Sequence, residues 1–99
     1  MIDMRLPNFS KSQWEFLALL EAFNEPISLR VADTIVPMLH STFLDLRIRA
    51  EQQGWMRTSD NSTVALSPNL PSIVRNKLEE INTPDRLGSL LDKIKRLDL

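Results

Sequence analysis

The chain has 99 residues, of which 42% are hydrophobic and 25% are charged, and its formal net charge at pH 7 is -1. This size and composition are typical of one globular domain with one hydrophobic core, and the near-zero charge removes the simplest argument for binding nucleic acid, a strong positive excess. The chain has no cysteine and one histidine, His40, which excludes a disulfide framework and a zinc site built from thiolates or from several imidazoles.

The sequence also shows no targeting or membrane-spanning pattern. No apolar run approaches the length that spans a bilayer, and residues 1–5 do not have the character of a signal peptide. We therefore expect a cytoplasmic protein that binds neither a membrane nor a metal.

The first predicted element is a helix that begins near Ser10. Pro7 disfavours an earlier start, and the side chain of Asn8 or Ser10 can cap the helix. Apolar residues then recur at helical spacing and form a wide face that we expect to be core: Trp14, Phe16, Leu17, Ala18, Leu19, Leu20 and Phe23. Pro26 ends the helix together with the two residues before it, because proline moves its predecessor out of the helical region.

A second, shorter helix is predicted over 29–36, with Ser28 as its N-cap. Pro37 ends this helix or lies just past its last turn. Residues 38–40 then form a connection, and we assign His40 a capping or surface role within it.

The third predicted helix, 41–53, is the element around which the rest of the chain is arranged. Ser41 and Thr42 can each accept a hydrogen bond from a free amide at the helix start, and Gly54 can adopt the left-handed conformation that ends a helix. Two helices joined by a short turn, with the second presented outward, form a helix-turn-helix arrangement.

A β-hairpin is predicted directly after Gly54. Its two strands are 55–58 and 63–66, and the residues between them are Ser, Asp, Asn and Ser, which favour turns. The hairpin would lie next to the third helix in the chain and therefore close to it in space.

Two further helices follow the hairpin. The fourth is predicted over 72–81, and the fifth begins after Thr83, which can cap it, with Pro84 in its first turn. The fifth carries a regular apolar stripe: Leu87, Leu90, Leu91, Ile94 and Leu97. The predicted fold class is therefore mainly α with a small β-hairpin, in a single domain that spans 1–99.

The order of these elements resembles a winged helix-turn-helix domain. The resemblance covers 10–66 and is carried by the three helices, the sequence Gln53-Gly54-Trp55-Met56-Arg57, and the hairpin that ends at Leu66. It implies a three-helix core plus a wing, with 67–99 as a C-terminal helical extension. Families with this fold include bacterial transcription regulators, which place the third helix in the DNA major groove and the wing beside it.

A second resemblance is to the winged-helix domain inside signal-transduction ATPases of the NB-ARC and STAND-like kinds. It is carried by 17–23 together with 26–29. It implies a domain that packs on a nucleotide-binding core and relays the state of that core. In NB-ARC proteins a Met-His-Asp motif follows the wing. The corresponding positions here are Leu66, Ser67 and Pro68, so the histidine that touches the nucleotide is absent.

The polar residues of the third helix give the candidate DNA-binding set. At about 100° per residue, Asp45, Arg49 and Gln52 lie opposite the main apolar stripe. That stripe consists of Phe43, Leu46 and Ala50. Arg and Gln can read base edges, whereas Asp45 can pair with Arg49 and either orient it or occupy it; a solvated face is the alternative. The DNA-binding set is Ser41, Thr42, Asp45, Arg49, Gln52 and, in the wing, Arg57.

Leu44 and Ile48 form a second apolar stripe on the same helix, and Arg47 points between the two stripes. Either Arg47 pairs with Glu51 over a hydrophobic surface, or one stripe faces a partner instead of the core. We favour a partner, with Leu44, Arg47 and Ile48 as the contact residues. Burial of this stripe under the fourth or fifth helix is the alternative.

The sequence gives little support to catalysis. His40 has no recognisable nucleophile beside it, and Gly54 and Gly88 are the only glycines, so a glycine-rich phosphate loop is absent. We therefore predict a non-enzyme without a cofactor. The preferred function is a regulatory module that contacts a protein partner or a neighbouring domain of a longer chain, such as a signalling ATPase. The alternative is a DNA-binding transcriptional regulator.

Overall fold

A computed structural model describes residues 6–23 and 25–97 of the chain. These residues form five helices and three short strands, which we number in chain order: α1 Lys11–Phe23, β1 Ile27–Ser28, α2 Leu29–Ile35, α3 His40–Gln52, β2 Met56–Thr58, β3 Thr63–Leu66, α4 Ser72–Ile81 and α5 Pro84–Leu97. The predicted class, mainly α with a small antiparallel β element, is confirmed, although the sheet has three strands and not two.

Helix α1 is the central element of the core. Ser10 caps it, because the Gln13 backbone N–H donates to Ser10 Oγ (3.3 Å) and the Ser10 N–H donates to Gln13 Oε1 (2.8 Å). This reciprocal pair is a capping box. The predicted apolar face is buried along nearly its whole length: Trp14, Phe16, Leu17, Ala18, Leu19 and Leu20.

Helix α2 begins where the sequence predicts, with Ser28 Oγ accepting a hydrogen bond from the Arg30 N–H at 3.2 Å. It ends at Ile35, one residue earlier than predicted. Val36 adopts an extended φ of -125° and leaves the helix, since a residue before proline is disfavoured in the helical region.

Helix α3 begins at His40, so the predicted start at Ser41 and the placing of His40 in the connection are wrong. Leu39 is the N-cap, its backbone is extended, and its side chain makes no capping hydrogen bond. Ser41 and Thr42 therefore occupy the second and third helical positions, and no side-chain cap bond forms at this end. An N-cap hydroxyl must precede the first helical residue to reach the free amides.

The C-terminal end of α3 follows the prediction closely. Gly54 has a φ of +76°, its N–H donates to the Glu51 carbonyl at 3.0 Å, and the Trp55 N–H donates to the Ala50 carbonyl at 2.9 Å. These two bonds form a Schellman motif, which requires a left-handed residue at the position that Gly54 occupies.

The sheet has the strand order β1-β3-β2 and is antiparallel throughout. The predicted hairpin is present, with β2 beginning at Met56 instead of Trp55. Strand β1 was not predicted; Ile27 pairs with Val64 of β3. Met56, Val64 and Ile27 are buried, so one face of the sheet closes the core.

The last two helices share this core. Helix α4 has the predicted bounds and packs on α1, where it buries Val74 and Leu78. Helix α5 is capped by Thr83, whose Oγ1 accepts from the Arg86 N–H at 3.3 Å, and it contacts α2. Its Leu90 is also buried. Among the described residues, we find no helix with the length and apolar character that crossing a membrane requires.

Candidate functional site

The outward side of α3 is the candidate site. The helix buries Leu46 and Ala50 in the core, whereas Leu44 is 38% exposed and Ile48 is 56% exposed. Helix α4 packs on α1 and α5 contacts α2, so the stripe that Leu44 and Ile48 form is not buried beneath either of them. We call Leu44, Arg47 and Ile48 the outer face of α3.

On one flank of the outer face, Arg47 forms an ion pair with Glu51, which lies beside that face. Arg47 Nε donates to Glu51 Oε1 at 2.9 Å, and both side chains are partly exposed. Glu51 Oε2 also accepts a hydrogen bond from Thr58 Oγ1 of β2 at 3.2 Å. The pairing between Arg47 and Glu51 that the sequence allows is therefore present, and it ties α3 to the hairpin beside an apolar stripe that stays exposed.

The other flank is organised by Asp45. Asp45 Oδ2 accepts hydrogen bonds from Gln13 Nε2 and from Arg49 Nη1, each at 3.0 Å. Gln13 is only 4% exposed, and its Nε2 also donates to the Thr42 carbonyl at 3.0 Å. The Gln13 amide, followed by Arg49, lowers the pKa of Asp45 below its usual value, because both donate to the carboxylate and so favour its charged form.

Arg49 is committed to contacts within the chain. Its Nη1 and Nη2 lie 3.4 and 3.3 Å from the Asn8 carbonyl oxygen, and its guanidinium carbon lies 4.5 Å from the centroid of the Phe9 ring. Phe9 is itself buried and makes T-shaped contacts with Trp14 and Trp55, with centroid distances of 5.3 and 6.4 Å. An arginine held by a carboxylate, a carbonyl and an aromatic face has few donors left for a ligand.

The structure brings four residues of the predicted DNA-binding set together. Ser41, Thr42, Asp45 and Arg49 line one open hollow, which they share with Asn8, Phe9, Ser10 and Gln13. Gln52 is exposed near the end of α3. Arg57 is exposed on β2 but lines a different cleft, which it shares with Arg75 and with the carboxylates of Glu21 and Glu25. The predicted set is therefore split between two parts of the surface.

Two residues that hold α3 in place were not among the predicted site residues: Gln13 on α1 and Phe9 just before α1. Gln13 supplies the amide that reaches Asp45, and Phe9 supplies the ring under Arg49. Their signal was present in the sequence: Ser10 and Gln13 have capping-box spacing, and Phe9 and Trp14 have the spacing of a hydrophobic staple, N′ to N4. The contact between Phe9 and Trp14 is the one that a staple makes.

Metal ligands do not converge anywhere in the described ranges, 6–23 and 25–97: no group of three or more His, Cys, Asp or Glu side chains could hold an ion there. Comparison of the chain with protein-family models, with curated proteins and with solved structures finds no match. The geometry of α3 and its flanks is therefore the basis for a functional proposal.

Proposed function

We propose that the chain is a non-enzymatic winged helix-turn-helix module that makes protein–protein or intramolecular regulatory contacts through the outer face of α3. The winged-helix part of the proposal is supported by the element order: a two-residue strand between the first two helices pairs with the second strand of the hairpin that follows the third. The single observation that carries the function is the exposure of Leu44 and Ile48 at the centre of the helix face turned away from the core.

The chemistry of this face suits a protein partner. Full burial of a leucine or isoleucine contributes about 1.5 to 3 kcal/mol, so the exposed parts of Leu44 and Ile48 would add roughly 1 kcal/mol each on binding. The Arg47–Glu51 pair at the edge has the character of an interface rim, where polar groups stay hydrated and fix orientation.

We propose that this module is part of a larger signalling ATPase and that it is located in the cytoplasm. Support for this context comes from the resemblance carried by 17–23 and 26–29. A phosphate-loop motif in the natural sequence that precedes Met1 would support it, and a natural chain without a nucleotide-binding domain would remove it.

The alternative proposal is a DNA-binding regulator that uses α3 in the major groove and the hairpin as a wing. It is supported by the exposure of Ser41, Gln52 and Arg57. It is the weaker proposal, because Arg49 already has three intramolecular partners and the centre of the face carries aliphatic side chains where polar readers of base edges are needed.

Site-specific photocrosslinking in the native cell tests the two proposals against each other. A photoreactive amino acid replaces Ile48, and the matched control carries it at Asn76, which is exposed on α4. We expect one defined protein adduct from position 48 and none from position 76. With that partner purified, Ile48→Asp should weaken binding by about 10- to 100-fold without lowering Tm, and Asn76→Asp should have no effect. A nucleic-acid adduct from position 48 would instead support the DNA-binding alternative.

A further inference from the structure

The cleft that contains Arg57 is lined by the end of α1, the hairpin, the connection that follows the hairpin, and α4. It has a volume of about 390 Å³, which is within the range of pockets that hold small molecules. Its apolar lining includes Leu20, Leu66 and Leu70, and Leu20 is fully buried. The cleft can therefore receive an aliphatic group of a ligand, because burial of apolar surface is favourable.

Four charged side chains also line this cleft, and they form two pairs of opposite sign. Glu21 belongs to α1 and Glu25 follows it, whereas Arg57 belongs to β2 and Arg75 to α4. No ion pair between described residues includes any of these four side chains. The acidic pair and the basic pair thus line one cleft without direct contact between their charged groups.

Within each pair, one side chain is held by the protein and the other is not. Glu21 Oε2 accepts a hydrogen bond from Asn82 Nδ2 at 3.1 Å, and Arg75 Nη2 donates to a backbone carbonyl of the β3–α4 connection at 2.8 Å. Glu25 and Arg57 are exposed, and their side chains make no hydrogen bond to a described residue. A carboxylate and a guanidinium with unused hydrogen-bonding groups can each bind a ligand group of opposite charge.

We propose that this cleft binds a free amino acid with an aliphatic side chain. Arg57 binds its carboxylate, because the planar fork of guanidinium donors matches a carboxylate, and Glu25 binds its ammonium group. The aliphatic side chain packs on Leu20. Two glutamates and two arginines give the cleft no net charge, so a ligand with both charges matches it and a singly charged ligand does not. The cleft is separate from the outer face of α3, and this proposal does not depend on the proposed function.

NMR titration of the full chain with L-leucine measures the binding. We expect saturable shifts of backbone amide signals along the cleft, such as that of Ser67, and none at Ile48 on the outer face of α3. The cleft is open and its charges stay partly hydrated, so we expect a Kd on the order of 1 mM. A titration to about 20 mM L-leucine that gives no saturable shift in the cleft, or shifts centred on α3, overturns the proposal.

Two analogues of leucine test whether both ligand charges are bound. Isocaproate has the same branched carbon chain and the carboxylate but no ammonium group, and isoamylamine has the ammonium group but no carboxylate. Each should bind about 10-fold more weakly than L-leucine, because it leaves one charged pair of the cleft without a counterpart. An affinity for either analogue equal to that for L-leucine contradicts the proposal.

Variants with one charge removed test which side chain binds which ligand group. Arg57→Gln should weaken L-leucine binding by about 3- to 10-fold without weakening isoamylamine binding. Glu25→Gln should weaken L-leucine binding by a similar factor without weakening isocaproate binding. Arg30→Gln and Glu80→Gln are the matched controls, since both residues are exposed and lie outside the cleft, and they should bind L-leucine as the wild type does. Equal losses of affinity in the controls would mean that overall charge attracts the ligand, and would contradict the proposal.

Discussion

Gln13 and Asp45 link the first helix to the third through one amide and one carboxylate. The Gln13 side chain is buried, with Nε2 donating to Asp45 Oδ2 and to the Thr42 carbonyl, and Oε1 accepting from the Ser10 N–H. Three hydrogen bonds on one side chain satisfy nearly all of its donors and acceptors. This residue therefore helps to hold α3 against α1, together with the burial of Leu46 and Ala50 in the core.

The pKa of Asp45 tests this link. It lies below the usual value chiefly because of the Gln13 amide and next because of Arg49. Gln13→Ala should move the pKa of Asp45 up toward its ordinary range, as followed by NMR titration of the carboxyl carbon. The matched control is Gln52→Ala, since Gln52 is exposed, and it should leave the titration unchanged. An Asp45 pKa that is the same in all three proteins would contradict the assignment.

The same shift predicts a pH dependence of stability. A carboxyl whose pKa is lower when folded stabilises the fold above its unfolded pKa, about 3.9, and this stabilisation is lost as the pH falls through the folded pKa. The difference in unfolding free energy between wild type and Asp45→Asn should therefore be constant at neutral pH and shrink below about pH 4. Urea unfolding at a series of pH values measures it. A difference in unfolding free energy that grows as the pH falls below about 4 would contradict the prediction.

At the scale of elements, the chain's two glycines show how a helix end differs from a helix interior. Gly54 ends α3 with a φ of +76°, whereas Gly88 lies within α5. A left-handed φ is strained for any residue with a Cβ atom, and an interior helical φ is not. The same substitution should consequently have opposite effects at the two positions.

Gly54→Ala should destabilise the fold by about 1 to 2 kcal/mol, and Gly88→Ala should stabilise it by about 0.5 to 1 kcal/mol. Urea unfolding measures both. Each variant serves as the control for the other, because both add the same methyl group. Stabilisation by Gly54→Ala would mean that the Schellman geometry is not the native end of α3.

At the scale of the whole molecule, α4 and α5 are joined to the same core as α1, α2, α3 and the sheet. Val74 and Leu78 of α4 and Leu90 of α5 are buried with the apolar face of α1. The α4–α5 junction is also fastened to α1 by polar contacts: Asn82 Nδ2 donates to the Ala18 carbonyl at 2.9 Å, and Arg86 Nη2 lies 3.1 Å from Glu15 Oε2. The extension therefore contributes to the stability of the segment that presents α3.

Leu78→Ala measures that contribution. Leu78 is fully buried between α4 and α1, so its truncation should lower the unfolding free energy by about 2 to 5 kcal/mol through lost burial and the cavity left behind. Leu91→Ala, at a largely exposed position of α5, is the matched control and should change it by less than about 0.5 kcal/mol. Equal effects of the two truncations on the urea midpoint would show that α4 is not part of the core.

Most boundaries of helices and strands are set by interactions between residues a few positions apart, so the sequence by itself determined them. The cap at Ser28, the stop at Gly54, the turn of the hairpin and the bounds of α4 are of this kind. The start of α3 is an exception, because Ser41 and Thr42 suggested a cap, whereas the helix begins one residue earlier, after Leu39, and no side-chain cap bond forms there. Local hydrogen bonding is readable from local sequence.

The tertiary structure decided everything that joins residues far apart in the chain. Strand β1 is two residues long and exists only because Ile27 pairs with Val64. The Arg49 guanidinium lies against Asn8 and Phe9, about forty positions earlier in the chain. Leu44 and Ile48 are exposed because the opposite side of α3, with Leu46 and Ala50, packs into the core. A helical wheel gives the angles between side chains but not the direction of the core, which depends on what packs against the helix.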